Sequence, residues 1–118
     1  MILTVMLPQV NANMKSAMVQ ALYPSEGTLL VPGAKLLDLK VDLSLAVGHD
    51  CPPVSFYRLA LRERAWLRKL LVAAEDDVAV GAPLAILSTD PDESLDSAPG
   101  RDARLSIAGI LYQSDWWN

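Results

Sequence analysis

Side chains able to do chemistry are few in this chain, and they are scattered. Its single histidine and single cysteine stand two apart in His49-Asp50-Cys51. An imidazole and a thiolate can both bind zinc, but a structural zinc site takes four ligands, so a complete site would have to be shared between two copies. As a base and nucleophile the same pair lacks a neighbouring lysine or arginine to lower the thiol pKa, and ordinary turn residues are expected instead. Asp76-Asp77 and the group Asp90, Asp92, Glu93 lack the alternating spacing of a calcium loop and read as solvated acidic surface. Arg58, Arg62, Arg64, Arg68 and Lys69 form the one basic cluster. On alternating strands some of these must point apart, so an exposed sheet face is expected rather than a dedicated site. Trp116-Trp117 cannot both face one core from a strand, so one of them is expected exposed or packed on another chain. His49, Cys51, Trp116 and Trp117 are thus the candidates for contact with a protein partner. No Ser/His/Asp set, phosphate loop or pair of carboxylates in an apolar setting occurs, and a non-catalytic protein without a metal is expected.

These residues must be positioned by a chain of 118, one domain's worth of sequence and enough for a real core. With 14 acidic and 10 basic side chains the formal charge is −4, which offers no attraction to a phosphate backbone or an anionic membrane surface. Neither nucleic acid nor membrane is expected as a partner. The opening Met1-Ile2-Leu3-Thr4-Val5-Met6-Leu7 lacks a basic region, and Pro8, Gln9 and Asn11 interrupt its apolar run, unlike a secretory signal. One cysteine permits no internal disulfide, and a cytoplasmic protein is expected.

Apolar periodicity favours strands. Ile2 to Met6 and Met18 to Tyr23 are short, rich in β-formers and bounded by turn residues. Pro24-Ser25-Glu26-Gly27 and Pro32-Gly33 lie too close together for helices of ordinary length between them. From Lys35 to Ala46, Leu37, Leu39, Val41 and Leu43 share one face, while Asp38, Lys40, Asp42 and Ser44 share the other, as in a half-buried strand. Residues 54–72 hold strong helix formers, yet Tyr57, Leu59 and Leu61 alternate with Arg58 and Arg62. Two strands joined at Glu63-Arg64-Ala65 are expected there. The organisation expected is a β domain over residues 1–90, an acidic, polar linker over 91–104 and a strand-like tail over 105–118 ending in Trp116-Trp117.

One segment recurs 48 residues later: Leu22 to Leu39 aligns with Leu70 to Leu87, pairing Leu22 with Leu70, Gly33 with Gly81, Leu36 with Leu84 and Leu39 with Leu87. Each copy runs apolar pair, acidic turn, apolar residue, glycine, apolar pair. Two halves, each apolar on one face, must bury that face, and each is the nearest cover for the other.

These half-motifs, Ser25 to Leu39 and Ala65 to Leu87, resemble those of the lipoyl/biotinyl-carrier family, with Leu7-Pro8 standing loosely for the family's opening methionine-proline. The likeness covers about residues 5 to 90. It implies an all-β barrel-sandwich hybrid of two quasi-twofold-related halves, here with an elongated central hairpin and a C-terminal appendage. The family's cofactor is held by a lysine at a tight hairpin tip, in an Asp-Lys pair for lipoate and a Met-Lys pair for biotin. By alignment Asp42 takes the Asp position and Leu43 replaces the lysine, and leucine has no amine to acylate. The resemblance therefore implies a carrier-like module with no lipoate or biotin, serving as a protein-interaction or assembly component and associating with a protein partner or with itself. The alternative is a group carrier of a multienzyme complex modified at Lys40, two residues from the expected position, or at Cys51.

Overall fold

Short runs of β-forming residues set the strands, and Gly27, Gly33 and Gly81 lie in turns between some of them. The computed structural model describes residues 1–10, 12, 14–42, 54–96 and 99–110. These contain ten strands: β1 (Ile2–Met6), β2 (Ser16–Leu22), β3 (Leu29–Leu30), β4 (Lys35–Asp42), β5 (Val54–Leu61), β6 (Ala65–Leu70), β7 (Asp77–Ala79), β8 (Pro83–Ser88), β9 (Pro99–Asp102) and β10 (Leu105–Ile110). The described residues hold no helix. The helix-forming composition of residues 54–72 is overridden by pairing: β5 lies antiparallel between β4 and β10, and β6 antiparallel between β3 and β8.

The strands form two five-stranded sheets, β3-β6-β8-β1-β9 and β10-β5-β4-β2-β7. Leu3, Val5, Leu67, Leu84 and Leu87 of the first and Val19, Leu37, Leu39, Val41, Leu59 and Leu61 of the second belong to a single buried cluster. Each leucine there, at 1% exposure or less, contributes about 1.5–3 kcal/mol by leaving water.

The 48-residue recurrence reappears in the hydrogen bonds. Gly27 N–H donates to the Leu67 carbonyl at 2.7 Å and Leu67 N–H returns a bond to Thr28 at 2.9 Å; Glu75 N–H donates to Val19 at 2.7 Å and Val19 N–H to Asp76 at 2.8 Å. Adding 48 to the first-half residue and subtracting 48 from the second-half residue turns one pair of bonds into the other. The ladders obey the same rule, with Leu30 opposite Ala65 and Val78 opposite Ala17. Even an irregularity recurs: β2 slips against β4 between Val19 and Ala21, and β6 against β8 between Leu67 and Lys69. Each half thus lends a short strand to the sheet of the other.

The turns carry the same equivalence. Gly33 and Gly81 have φ of 94° and 88°, and their N–H groups donate to Leu61 at 2.7 Å and Leu7 at 2.9 Å. Gly27, at 90°, corresponds to Glu75, at 77°, so the second half holds a side chain in a conformation that suits glycine.

Two expectations need correction. The segment read as a solvated linker, residues 91–104, contains β9, which pairs parallel with β1. Pairing to a sheet edge satisfies backbone groups whatever the polarity of the side chains, so Asp, Gly and Pro content did not prevent a strand. Asp38, placed by alternation on the wet face of β4, is 0% exposed, for reasons that belong to the site below.

Replacing Glu75 by glycine relieves the left-handed strain without touching the bond from its N–H to Val19. Glu75→Gly is expected to stabilise the protein by about 1 kcal/mol, read as a higher urea midpoint at unchanged slope, whereas Gly81→Ala is expected to destabilise by a similar amount.

Candidate functional site

Three polar side chains meet on the outward face of the second sheet. Asp38 of β4 lies directly opposite Arg58 of β5 in the ladder, and β2 runs out into Tyr23 beside them. Arg58 donates from Nε to Asp38 Oδ1 at 2.9 Å and from Nη2 to Oδ2 at 3.2 Å. The Tyr23 hydroxyl donates to Oδ2 in a short hydrogen bond and accepts one from Arg58 Nη2 at 3.1 Å. The Arg58 guanidinium lies 5.4 Å from the Tyr23 ring centre, and Lys35 Nζ lies 5.7 Å from it, within cation–π range. Tyr23 and Arg58 cap the carboxylate. The bond to Asp38 raises the Tyr23 pKa above its ordinary value, burial adding to the effect, and the same carboxylate raises that of Arg58. Both partners are thereby held in the protonated form.

A second cluster ties the chain's last strands to its middle. Glu63, in the link between β5 and β6, accepts two bonds from Arg101 of β9, at 2.5 and 2.8 Å, and one from the Arg104 backbone N–H at 2.7 Å. The Arg101 guanidinium, helped by that N–H, lowers the Glu63 pKa from 4.5 to about 2. Both β5–β6 and β9–β10 are crossings from one sheet to the other, and Glu63 clasps the two together.

The residues singled out from sequence fare differently. Leu43, His49, Cys51, Trp116 and Trp117 lie outside the described residues. Lys40 lies within β4, between Met18 of β2 and Phe56 of β5, and lines an open recess of about 190 Å³ with Ser16, Asp42 and Asp77. The basic cluster is divided. Arg58 is engaged with Asp38 on one sheet, while Arg68, on the other, donates to Ser88 Oγ at 3.2 Å and to the Glu93 carbonyl at 2.6 Å. Arg62, Arg64 and Lys69 are exposed. Asp76 accepts from Ala73 N–H at 2.8 Å, and Asp90 from Asp92 N–H at 2.9 Å, so both shape turns. Among the described residues no three His, Cys, Asp or Glu side chains converge as metal ligands, and no helix is long and apolar enough to cross a membrane.

Sequence reading missed both clusters. Tyr23 stood out only as the end of the strand expected from Met18. The one available signal was an acid on the polar face of β4 and a base on the polar face of β5, which becomes informative only once the register sets 38 against 58. Glu63 and Arg101 are 38 residues apart, with nothing local to join them.

No family model matches the chain, and comparison with curated proteins and with solved structures finds no match to either.

Removing the two members of the Asp38–Arg58 pair is expected to have unequal effects. Arg58→Ala leaves a carboxylate of 0% exposure without its guanidinium and is expected to cost about 3 kcal/mol, whereas Asp38→Ala leaves a cation that can turn to water and is expected to cost about 1–2 kcal/mol. Denaturant titration of the two variants measures the order. For Glu63 the folded pKa lies below the unfolded one, so its stabilisation is fully present above pH 4.5 and is lost as pH falls toward about 2. Glu63→Gln is expected to be less stable at pH 7 and to lose less stability than the parent across that window.

Proposed function

We propose that this chain is a barrel-sandwich hybrid of the lipoyl/biotinyl-carrier type, built of two quasi-twofold-related halves, that carries no cofactor and works as a protein-interaction or assembly module. What carries the reading is the reciprocal bonding at the 48-residue offset, Gly27 with Leu67 and Glu75 with Val19, joined to the half-motifs that resemble the family. A carrier of that family needs a lysine amine, and in the alignment of the half-motifs Leu43 stands at the position of that lysine. With no acyl arm to present, what such a domain has left to offer is its surface, to a protein partner or to another copy of itself.

The runner-up, a group carrier of a multienzyme complex, draws support from Lys40, whose strand borders an open recess next to Asp42. An acyl arm on Lys40 would start from mid-strand, between Met18 and Phe56, and reach a partner's active site less freely than one from a hairpin tip. Cys51 is the other attachment point under that reading.

Co-expression with a lipoyl ligase or a biotin ligase, followed by intact-mass measurement, separates the two. The expected mass is that of the bare 12.8 kDa chain. A gain of one lipoyl or biotinyl group that disappears in Lys40→Arg or Cys51→Ser would establish the carrier instead.

A further inference from the structure

Each sheet has two edges, and three of the four are blunted. β3 is only two residues long. β7 has three, and begins with Asp77. β9 has four, Pro99-Gly100-Arg101-Asp102, with a proline and two charges. Short length, proline and charge are the devices by which proteins keep sheet edges from pairing with other chains. β10 uses none of them. Its six residues, Leu105-Ser106-Ile107-Ala108-Gly109-Ile110, hold no charge and no proline, and among the described residues no strand pairs with its outer side.

The register shows which backbone groups that side presents. In an antiparallel ladder alternate residues exchange bonds with the partner strand. Arg62 N–H donates to the Arg104 carbonyl at 2.9 Å, with Leu105 opposite Leu61, so Ser106, Ala108 and Ile110 turn their backbone groups toward β5. Leu61 agrees, since its own N–H and carbonyl are spent on Ala34 and Gly33 on its far side. The N–H and carbonyl groups of Leu105, Ile107 and Gly109 therefore point outward. These three positions are symmetric about Ile107. In an antiparallel pairing of β10 with a second β10, Ile107 faces Ile107, and each Leu105 faces a Gly109, which has no neighbouring atom within 4 Å of where a Cβ would stand. All three outward N–H groups and all three carbonyls of each strand then find partners.

The side chains agree with the backbone. Ile107 is 44% exposed, and with Leu105 it lines an open groove of about 420 Å³ whose other walls include Met6, Pro8, Val80 and Ala103. In the antiparallel pairing directly opposite residues share a face of the sheet, so the second copy's Ile107 lies on the side of β10 where Ile107 lines this groove.

We propose that β10 is a homodimer interface, at which two copies join edge to edge about a twofold axis through Ile107 and make one continuous ten-stranded sheet. The occupant is a second copy, because the edge is self-complementary in register and uncharged, so it offers an ionic anchor to no other chain. This rests on reading the chain as an interaction module and names its partner; it does not depend on whether a cofactor is attached.

Light scattering of the full chain from about 1 to about 100 µM is expected to show a rise from the 12.8 kDa monomer toward twice that mass. Backbone amide exchange at Leu105, Ile107 and Gly109 is expected to slow as concentration rises, while Ser106 and Ala108 stay protected throughout. Ile107→Lys sets two like charges opposite each other across the axis. Ile107→Pro deletes an outward N–H and none that serves β5. Each is expected to raise the dissociation constant at least about tenfold with the circular dichroism of the parent. A chain that stays monomeric throughout, or a dimer whose mass persists in both variants with no concentration dependence at the three amides, would overturn the proposal. Either result leaves the intact-mass test of the unmodified carrier-like reading where it stands.

Discussion

Everything in this molecule depends on an exchange of short strands between two similar halves. β3 belongs in sequence to the first half and pairs with β6 of the second; β7 belongs to the second and pairs with β2 of the first. Neither half can satisfy its own backbone, because the donors at Gly27 and Glu75 find their carbonyls in the opposite copy. The exchanged ladders also hold the buried residues Ala17, Leu30, Ala65 and Val78, whose peptide groups would be costly to leave without partners, so the halves must fold together. The shared apolar cluster, drawn from both sheets, adds the hydrophobic term to the same requirement.

That exchange accounts for the matching order of the sheets. Reading β3 for β7, β6 for β2, β8 for β4 and β1 for β5 turns one sheet into the other. The equivalence stops at the last strands. β9 joins β1 in parallel and β10 joins β5 antiparallel, so the segment after β8 crosses the molecule and adds one strand to each sheet. Glu63 holds the crossing in place through Arg101 and Arg104. It also leaves the two new edges unlike in character, one charged and one apolar.

The Asp38–Arg58–Tyr23 cluster lies on the opposite face of the sheet from the core. A carboxylate at 0% exposure is paired by two guanidinium bonds and a hydroxyl, the condition under which a buried charge is tolerated. Its contribution is to alignment more than to net stability, because the Coulombic gain of such a pair is offset by desolvation. A slip of one residue between β4 and β5 would take Asp38 from opposite Arg58 and expose the alternation of both strands to the wrong faces. On the same row-by-row logic Lys40 lies between Met18 and Phe56.

Local sequence was sufficient for much of the fold. The alternation of Leu37, Leu39 and Val41, and of Tyr57, Leu59 and Leu61, gave half-buried strands, and the glycines at 33 and 81 marked turns whose φ is positive; these are properties of a few adjacent residues, and the chemistry that enforces them is equally local. The recurrence at 48 residues was legible for the same reason, since equivalent turns need equivalent residues. What only the tertiary structure decided were the relations between distant positions. β9 is a strand because β1 offers an edge to it, although its composition suggests a linker; Asp38 is buried because Arg58 and Tyr23 close over it, although its place in the alternation suggests water; and Glu63 finds Arg101 because two crossings between sheets happen to meet. Each depends on register and on which edge is open, and neither quantity is written in the neighbouring residues.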